Sequence, residues 1–120
     1  MHAEAAFSHD KLIGVPKGDW RTMKATAPAA AMTGMGIHLT DLLISLFGRV
    51  DMLSAFTADR VLGWETGDTT TVQMRFKAGM TATFSAILYT PHFIRLHVFG
   101  SKRWVEVINS THPDTPGGVV

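Results

Sequence analysis

The sequence has 120 residues, 46% of them hydrophobic and 18% charged, and this composition excludes a disordered or solvating segment. Lys and Arg number 11 against 10 Asp and Glu, and because they are scattered, no basic stripe could neutralise a phosphate backbone. We therefore expect one compact domain with no nucleic-acid partner.

Two further features concern the compartment of the protein. Cysteine is absent, which removes disulfides and thiolate chemistry and suits a reducing compartment. Residues 1–10 contain His2, Glu4, His9 and Asp10 and no long apolar run, so they do not resemble a signal peptide. The longest apolar helix candidate is too short and too polar to span a bilayer. We expect a cytoplasmic domain with no membrane partner.

The first half of the chain predicts a strand, a loop and a long helix. "HAEAAFSH" (residues 2–9) predicts a strand, and the Gly and Pro residues of "DKLIGVPKGDWRT" then predict a loop. Pro28 suits a first helical position, alanines after it favour a helix, and Gly48 suits the C-terminal end. The helix is therefore expected from about Pro28 to Phe47.

After Gly48 the hydrophobic period changes to two, which predicts strands. The strand candidates are residues 50–60, "TTVQMRF", "MTATFSAILY", "FIRLHVFG" and "KRWVEVI", with turns at "KAG" and "GS". Short links between strands favour antiparallel pairing. The prediction is an α+β fold: an open, mostly antiparallel β-sheet of about six strands with one long helix packed on one face.

One helix covers only one face of such a sheet. The second face offers alanine, threonine and aliphatic side chains, so we expect another copy of the chain or another domain to cover it. The chain opens directly on apolar residues, and its turn-rich tail "STHPDTPGGVV" ends on two valines. Both ends suggest a piece cut from a larger protein.

At about 100° per residue, the predicted helix has two stripes. The apolar stripe, expected to face the core, contains Met32, Met35, Leu39, Leu42, Leu43 and Leu46. The second stripe, bordered by Ile37 and Ile44, contains Gly34, His38, Asp41 and Ser45. We call this second set the polar stripe.

The polar stripe places His38 and Asp41 three residues apart, close enough to share a ligand or to orient one another. If the stripe faces a cleft, His38 can exchange a proton with a substrate hydroxyl. The alternative is a core histidine held by Asp41 or by a backbone carbonyl. Gly34 and Gly36 each oppose the helix by roughly 1 kcal/mol relative to Ala, so close approach of another helix or of a ligand would explain them.

Other chemistries find little support in the sequence. "GMGIHL" has Leu39 where a dinucleotide fingerprint needs its third glycine, and no βαβ unit surrounds it. The histidines have no tight metal-ligand spacing, and no G-x-S-x-G nucleophile motif occurs. We predict no cofactor-binding and no metal-binding residues in this chain.

The "DWRT" segment is the second candidate for a binding role. Trp20 could form a wall of a pocket, and the Arg21 guanidinium could bind a hydroxyl or a carboxylate. The alternative is a tryptophan that anchors the loop to the core beside a solvated arginine. Trp64 and Trp104 are predicted to be packing residues.

"WRT", then a small-residue stretch, then "GMGIHLTDLLISLFGRV" and strands ending in "RLHVFGSKRWVEV" resemble the C-terminal domain of the Gfo/Idh/MocA family of NAD(P)-dependent oxidoreductases. The resemblance implies a two-domain enzyme in which a Rossmann domain outside this chain binds NAD or NADP. Residues 1–120 would then be its substrate-binding and oligomerisation domain. His38 matches a histidine that sits by the substrate and assists proton transfer, and Asp41 matches a residue behind it on the same helix.

Two departures from the family pattern bear on activity. The family's catalytic lysine belongs to an E-K-P segment that this chain lacks, so the chain alone is predicted to be inactive. Gly34 stands where the family often has an aspartate, and Ala30 and Ala31 replace a double glycine. The resemblance implies redox chemistry on a sugar, polyol or related hydroxy compound. We predict Trp20, Arg21, Gly34 and Asp41 as the substrate contacts. The alternative is a non-catalytic ligand-binding or scaffold module with the same fold.

Overall fold

The computed structural model describes residues 1–29 and 31–109, and one open sheet dominates it. The strands are β1 (His2–Ser8), β2 (Val50–Ala58), β3 (Thr69–Phe76), β4 (Thr81–Ile87), β5 (Phe93–Phe99) and β6 (Trp104–Asn109). Their spatial order is β2-β3-β4-β1-β5-β6. The predicted α+β fold with six strands is confirmed. Ala30 and the tail "STHPDTPGGVV", on which two predictions rest, lie outside the described residues.

Strand pairing is antiparallel except at the centre of the sheet. β1 pairs with β4 in parallel, from His2 opposite Thr81 to Ser8 opposite Ile87, and its other neighbour β5 is antiparallel. Parallel neighbours need a long crossover, which the helix and β2–β3 supply between β1 and β4. The opening strand is therefore the middle of the sheet.

The helix begins later than predicted and with an irregular turn. Met32–Gly36 is a π-helical segment in which the Ile37 amide bonds to the Met32 carbonyl, and α1 (Ile37–Phe47) continues it. Gly48, at φ 79°, ends α1 and donates its amide to the Ile44 carbonyl at 2.8 Å. Glycine reaches this left-handed conformation without the cost that a Cβ atom imposes.

The core face of the helix differs from the predicted stripe. Met35, Leu39 and Leu43 are buried as predicted, and Phe47 joins them, but Leu42 and Leu46 are exposed. A π-helical turn holds more residues than an α-helical turn. A count of 100° per residue across Met32–Gly36 therefore gives wrong angles between the residues before and after this segment. The assignment of Leu42 and Leu46 to the core is therefore wrong.

The two faces of the sheet have different neighbours. The helix packs on the covered face, where Ala3, Ala5, Met74 and Phe84 form one core with Leu39 and Leu43. Alternate residues of each strand point to the other side, which we call the open face. Its large or charged residues include Met52, Phe56, Arg95, His97, Trp104 and Ile108. No helix within residues 1–29 and 31–109 is long and apolar enough to cross a membrane.

Candidate functional site

The polar stripe lies on the outer surface of the helix. Gly34, His38, Asp41 and Ser45 are all exposed. Among the described residues, the side chains of His38 and Asp41 have no hydrogen-bonding partner, so Asp41 does not orient His38 directly. The interpretation of His38 as a buried core histidine is therefore wrong, and its imidazole is open to a ligand.

Exposed aliphatic side chains border the polar stripe on both sides. Ile37 and Ile44 lie along one side of it, and Leu42 and Leu46 lie along the other, and all four are exposed. A helix face that only meets water rarely carries four such residues together. The outer face of α1 is thus an apolar surface with His38 and Asp41 in its middle.

The "DWRT" loop has a fixed shape that depends on Asp19. Its carboxylate accepts the Arg21 amide at 2.9 Å and caps the 3₁₀ turn Trp20–Thr22. The same carboxylate pairs with the Arg21 guanidinium at 3.2 Å. The guanidinium also lies over the Trp20 indole, 4.6 Å from its ring centre. The guanidinium is therefore stacked on the indole, and both side chains are about half exposed.

A cavity of about 10 Å³, room for one water molecule at most, lies between this loop and the start of the helix. It is lined by Leu12, Trp20, Arg21, Ala27, Thr33, Gly34 and Trp64. A Cβ atom on Gly34 would lie 3.6 Å from Leu12 Cδ1, at ordinary contact distance. Three of the five predicted site residues, namely Trp20, Arg21 and Gly34, thus share one cavity, and His38 follows Gly34 by one helical turn.

The loop between β2 and β3 supplies the buried Trp64 to this cavity, and two aspartates hold it. Asp59 accepts the amides of Gly63 and Trp64 at 2.9 and 3.3 Å. Asp68, fully buried, accepts the amides of Arg60, Val61 and Leu62 at distances down to 2.7 Å. Burial by itself raises the pKa of Asp68, but the backbone amides and the Thr69 hydroxyl outweigh it and hold that pKa below its ordinary value. Asp68 is therefore a charged anchor for the loop.

Three residues near His38 were not predicted from the sequence. The Phe7 ring centre lies 6.3 Å from that of His38, 5.8 Å from His9 and 5.9 Å from His92. We call these four residues the Phe7 cluster. His9 follows β1 and His92 precedes β5, so only the pairing of those strands brings them together. No local spacing in the sequence could reveal that.

Nothing in the described structure suggests a metal site. Residues 1–29 and 31–109 contain no group of three or more His, Cys, Asp or Glu side chains that could hold a metal ion. Trp104, predicted to pack, is exposed on the open face, with His97 at 5.1 Å between ring centres. That prediction is wrong because Trp104 lies on an edge strand and on the face of the sheet opposite the helix.

The fold and the sequence define the class of the protein. Residues 1–106 match the GFO/IDH/MocA C-terminal domain family, and the chain belongs to this family of oxidoreductase domains. A comparison with curated proteins finds no match.

Solved structures of several oxidoreductases are similar to this chain. A candidate NADPH-dependent oxidoreductase from Desulfitobacterium hafniense is 27% identical with a TM-score of 0.85, over 90% of this chain and 32% of its own. The WlbA dehydrogenase from Bordetella pertussis, in complex with NADH and UDP-GlcNAcA, is 20% identical with a TM-score of 0.80, over 94% and 37%. Levoglucosan dehydrogenase, in complex with NADH and L-sorbose, is 14% identical with a TM-score of 0.77, over 90% and 33%. The last two likenesses concern the fold, and this chain spans about a third of each of the three proteins.

Proposed function

We propose that this chain is the substrate-binding and oligomerisation domain of an NAD(P)-dependent oxidoreductase that acts on a sugar, a polyol or a related hydroxy compound. The cofactor, NAD or NADP, would be bound mainly by a Rossmann domain outside these residues. Membership of the oxidoreductase family supports the class, and the dehydrogenases of similar fold in complex with NADH support the cofactor. The chain by itself would be inactive.

One observation carries the proposal: His38 is exposed one helical turn after Gly34, which lines a cavity with Trp20 and Arg21. A substrate near this cavity would rest on the indole and receive hydrogen bonds from the guanidinium. Asp41, exposed on the same stripe, would accept a hydrogen bond from a second substrate hydroxyl.

The chemistry of this chain would be proton transfer. The bound nicotinamide supplies the hydride acceptor when an alcohol is oxidised. His38 accepts the hydroxyl proton as the carbon loses its hydride, so that the C–O single bond becomes a carbonyl. In the reverse direction His38 returns the proton to the carbonyl oxygen. The exposed aliphatic border of the stripe would exclude water from this step once it is covered.

The open face would be the surface for self-association. It carries exposed Met52 and Phe56 on one edge strand and exposed Trp104 and Ile108 on the other. Exposed apolar groups at both edges of one sheet face mark an interaction surface. A second copy of the chain presents the same face and so fits it by two-fold symmetry.

Kinetics on the longer polypeptide that contains this chain test the catalytic part. His38→Gln should lower kcat for NAD(P)-linked oxidation of the preferred polyol or sugar by at least about 100-fold. Lys77→Gln, at an exposed position in the turn between β3 and β4, is the control and should leave kcat unchanged. Equal turnover by the His38→Gln variant and the parent would remove His38 from the mechanism.

The second candidate function is a non-catalytic ligand-binding or scaffold module. Gly34 in place of the aspartate expected from the family pattern favours it, since a substrate hydroxyl then lacks one acceptor. In that case the longer polypeptide would bind a sugar or polyol without any change in NAD(P)H absorbance. A G-x-G-x-x-G and an E-K-P segment in that longer sequence would favour the oxidoreductase instead.

A further inference from the structure

The Phe7 cluster joins three segments that are far apart in the sequence. His9 and His92 each meet the Phe7 ring edge-on, at 80° between ring planes, and lie parallel to each other with 6.5 Å between ring centres. His38 meets the same ring at a tilt of 44°. One phenyl ring thus contacts one imidazole from the helix and two from the strand ends.

The Phe7 ring is also anchored in the core of the domain. It lies on the covered face of β1 and packs against both hydrophobic clusters, one around Leu39 and Leu43 and one around Met35 and Trp64. Phe7 is half-buried, so core packing restricts only part of its ring, and His9 and His92 restrict it further. Phe7 is therefore a fixed element beside His38, whose side chain has no hydrogen bond within the described residues.

We propose that Phe7 is a positioning residue for His38, and that His92 and His9 act through Phe7 by holding its ring. The proposal rests on the proposed function, in which His38 transfers a proton. An imidazole must present one nitrogen to the substrate hydroxyl, and a displacement of about 1 Å at a reacting group costs about 100-fold in rate. Contact with a fixed aromatic ring restricts the imidazole to few orientations.

Kinetics on the longer polypeptide give the first test. Phe7→Leu keeps an apolar side chain of somewhat smaller volume but removes the ring, and His92→Ala removes one of the two rings that hold it. Each should lower kcat by about 10-fold and leave KM within about twofold, since the substrate contacts are unchanged. His92→Phe, which keeps an aromatic edge against Phe7, should restore kcat.

Phe93→Ala is the matched control for the histidine variants. Phe93 is the next residue and is also partly exposed, but its partner on β1 is Ser8, so it lies on the opposite face of the sheet from Phe7. Its removal tests whether any lost ring at the start of β5 disturbs the site. We expect kcat and KM of this variant to equal those of the parent.

NMR spectra of the 120-residue chain give a second test that needs no activity. The ring protons of His38 should show a ring-current shift and nuclear Overhauser contacts from Phe7. Both should vanish in Phe7→Leu, weaken in His92→Ala and persist in Phe93→Ala. Because His92 lies in a loop, the His92→Ala variant keeps the test valid even where Phe7→Leu impairs folding.

The outcomes separate this inference from the proposed function. If His38→Gln abolishes turnover while Phe7→Leu and His92→Ala have the parent kcat, positioning by Phe7 is overturned and the proposed function stands. If His38→Gln itself turns over normally, the proposed function fails. A change in KM alone for His92→Ala, without rescue by His92→Phe, would make His92 a substrate contact and would also overturn the inference.

Discussion

Asp68 is a buried carboxylate whose charge organises the loop before β3. Its pKa is held below the ordinary value, so folding favours the ionised form. This stabilisation is complete above the pKa of the unfolded chain and is lost as the pH falls through the lower pKa of the folded state. The free energy of unfolding should therefore drop as the pH is lowered below about 4.

Asp68→Asn tests this directly. The amide keeps one acceptor but replaces the charged acceptor for three backbone amides, so we expect a loss of about 2 kcal/mol at pH 7. The loss should shrink at pH 3, which lies below the ordinary pKa of a carboxyl group, because the Asp68 carboxylate then gains a proton on unfolding. Urea unfolding at both pH values measures this, with exposed Asp10→Asn as the control. An equal loss at both pH values would contradict the role of the charge.

Gly67 precedes Asp68 and permits the loop to close. Its φ is +76°, and a Cβ atom there would lie 2.6 Å from Thr57 Cγ2 and 2.8 Å from the Ala58 carbonyl oxygen. Gly67→Ala should therefore lower the free energy of unfolding by about 3 kcal/mol, from backbone strain and from overpacking.

Gly14→Ala is the control for this change, because nothing lies within 4 Å of a Cβ atom at that loop position. Its effect should stay within about 0.5 kcal/mol. Both variants can be compared by thermal unfolding, and equal melting temperatures would show that the Gly67 conformation adapts without strain.

At the scale of elements, the helix shows what sequence patterns can and cannot predict. Alternation of apolar residues predicted β3, β4 and β5, because the pleat imposes a period of two on strands with one covered face. The polar stripe was also predicted, since Gly34 and His38 share one face in either helix type. The π-helical segment was not predicted, so a count of 100° per residue through it wrongly assigned Leu42 and Leu46 to the core face. Irregular turns depend on tertiary packing, which local spacing does not encode.

The two helix glycines should respond differently to alanine. A Cβ atom on exposed Gly34 finds ordinary contact, so Gly34→Ala should raise the free energy of unfolding by about 0.5 to 1 kcal/mol. Gly36 is buried, and a Cβ atom there would collide with the Met32 Sδ atom, which must move. Gly36→Ala should thus be less stable than Gly34→Ala by at least about 1 kcal/mol in urea unfolding. Equal stabilisation by both changes would mean that Met32 repacks freely.

In the whole molecule, two features were not predicted from the sequence for the same reason, namely the histidines near Phe7 and the parallel β1–β4 pair. Both depend on which strands become neighbours, and short links between strands predict only the hairpins. The sequence therefore predicted the helix part of the candidate site, where spacing is local. It could not predict the contribution of His9 and His92, which meet across the sheet.

The edge strands offer a matched test of self-association through the open face. Met52 and Leu53 are adjacent on β2 and are 57% and 60% exposed, and Trp104 and Val105 on β6 are 63% and 60% exposed. In each pair the first residue lies on the open face and the second on the covered face. A glutamate introduced at the first residue of a pair therefore tests the open face, and one at the second residue tests the covered face, at nearly equal side-chain exposure.

Sedimentation velocity on the 120-residue chain should show a dimer or larger species for the parent. Met52→Glu and Trp104→Glu should shift it to the monomer, because each copy would then bury an unpaired charge in a two-fold contact. Leu53→Glu and Val105→Glu should remain associated. A monomeric parent at high concentration would end the proposal of self-association, and dissociation only by Leu53→Glu and Val105→Glu would move the contact to the covered face.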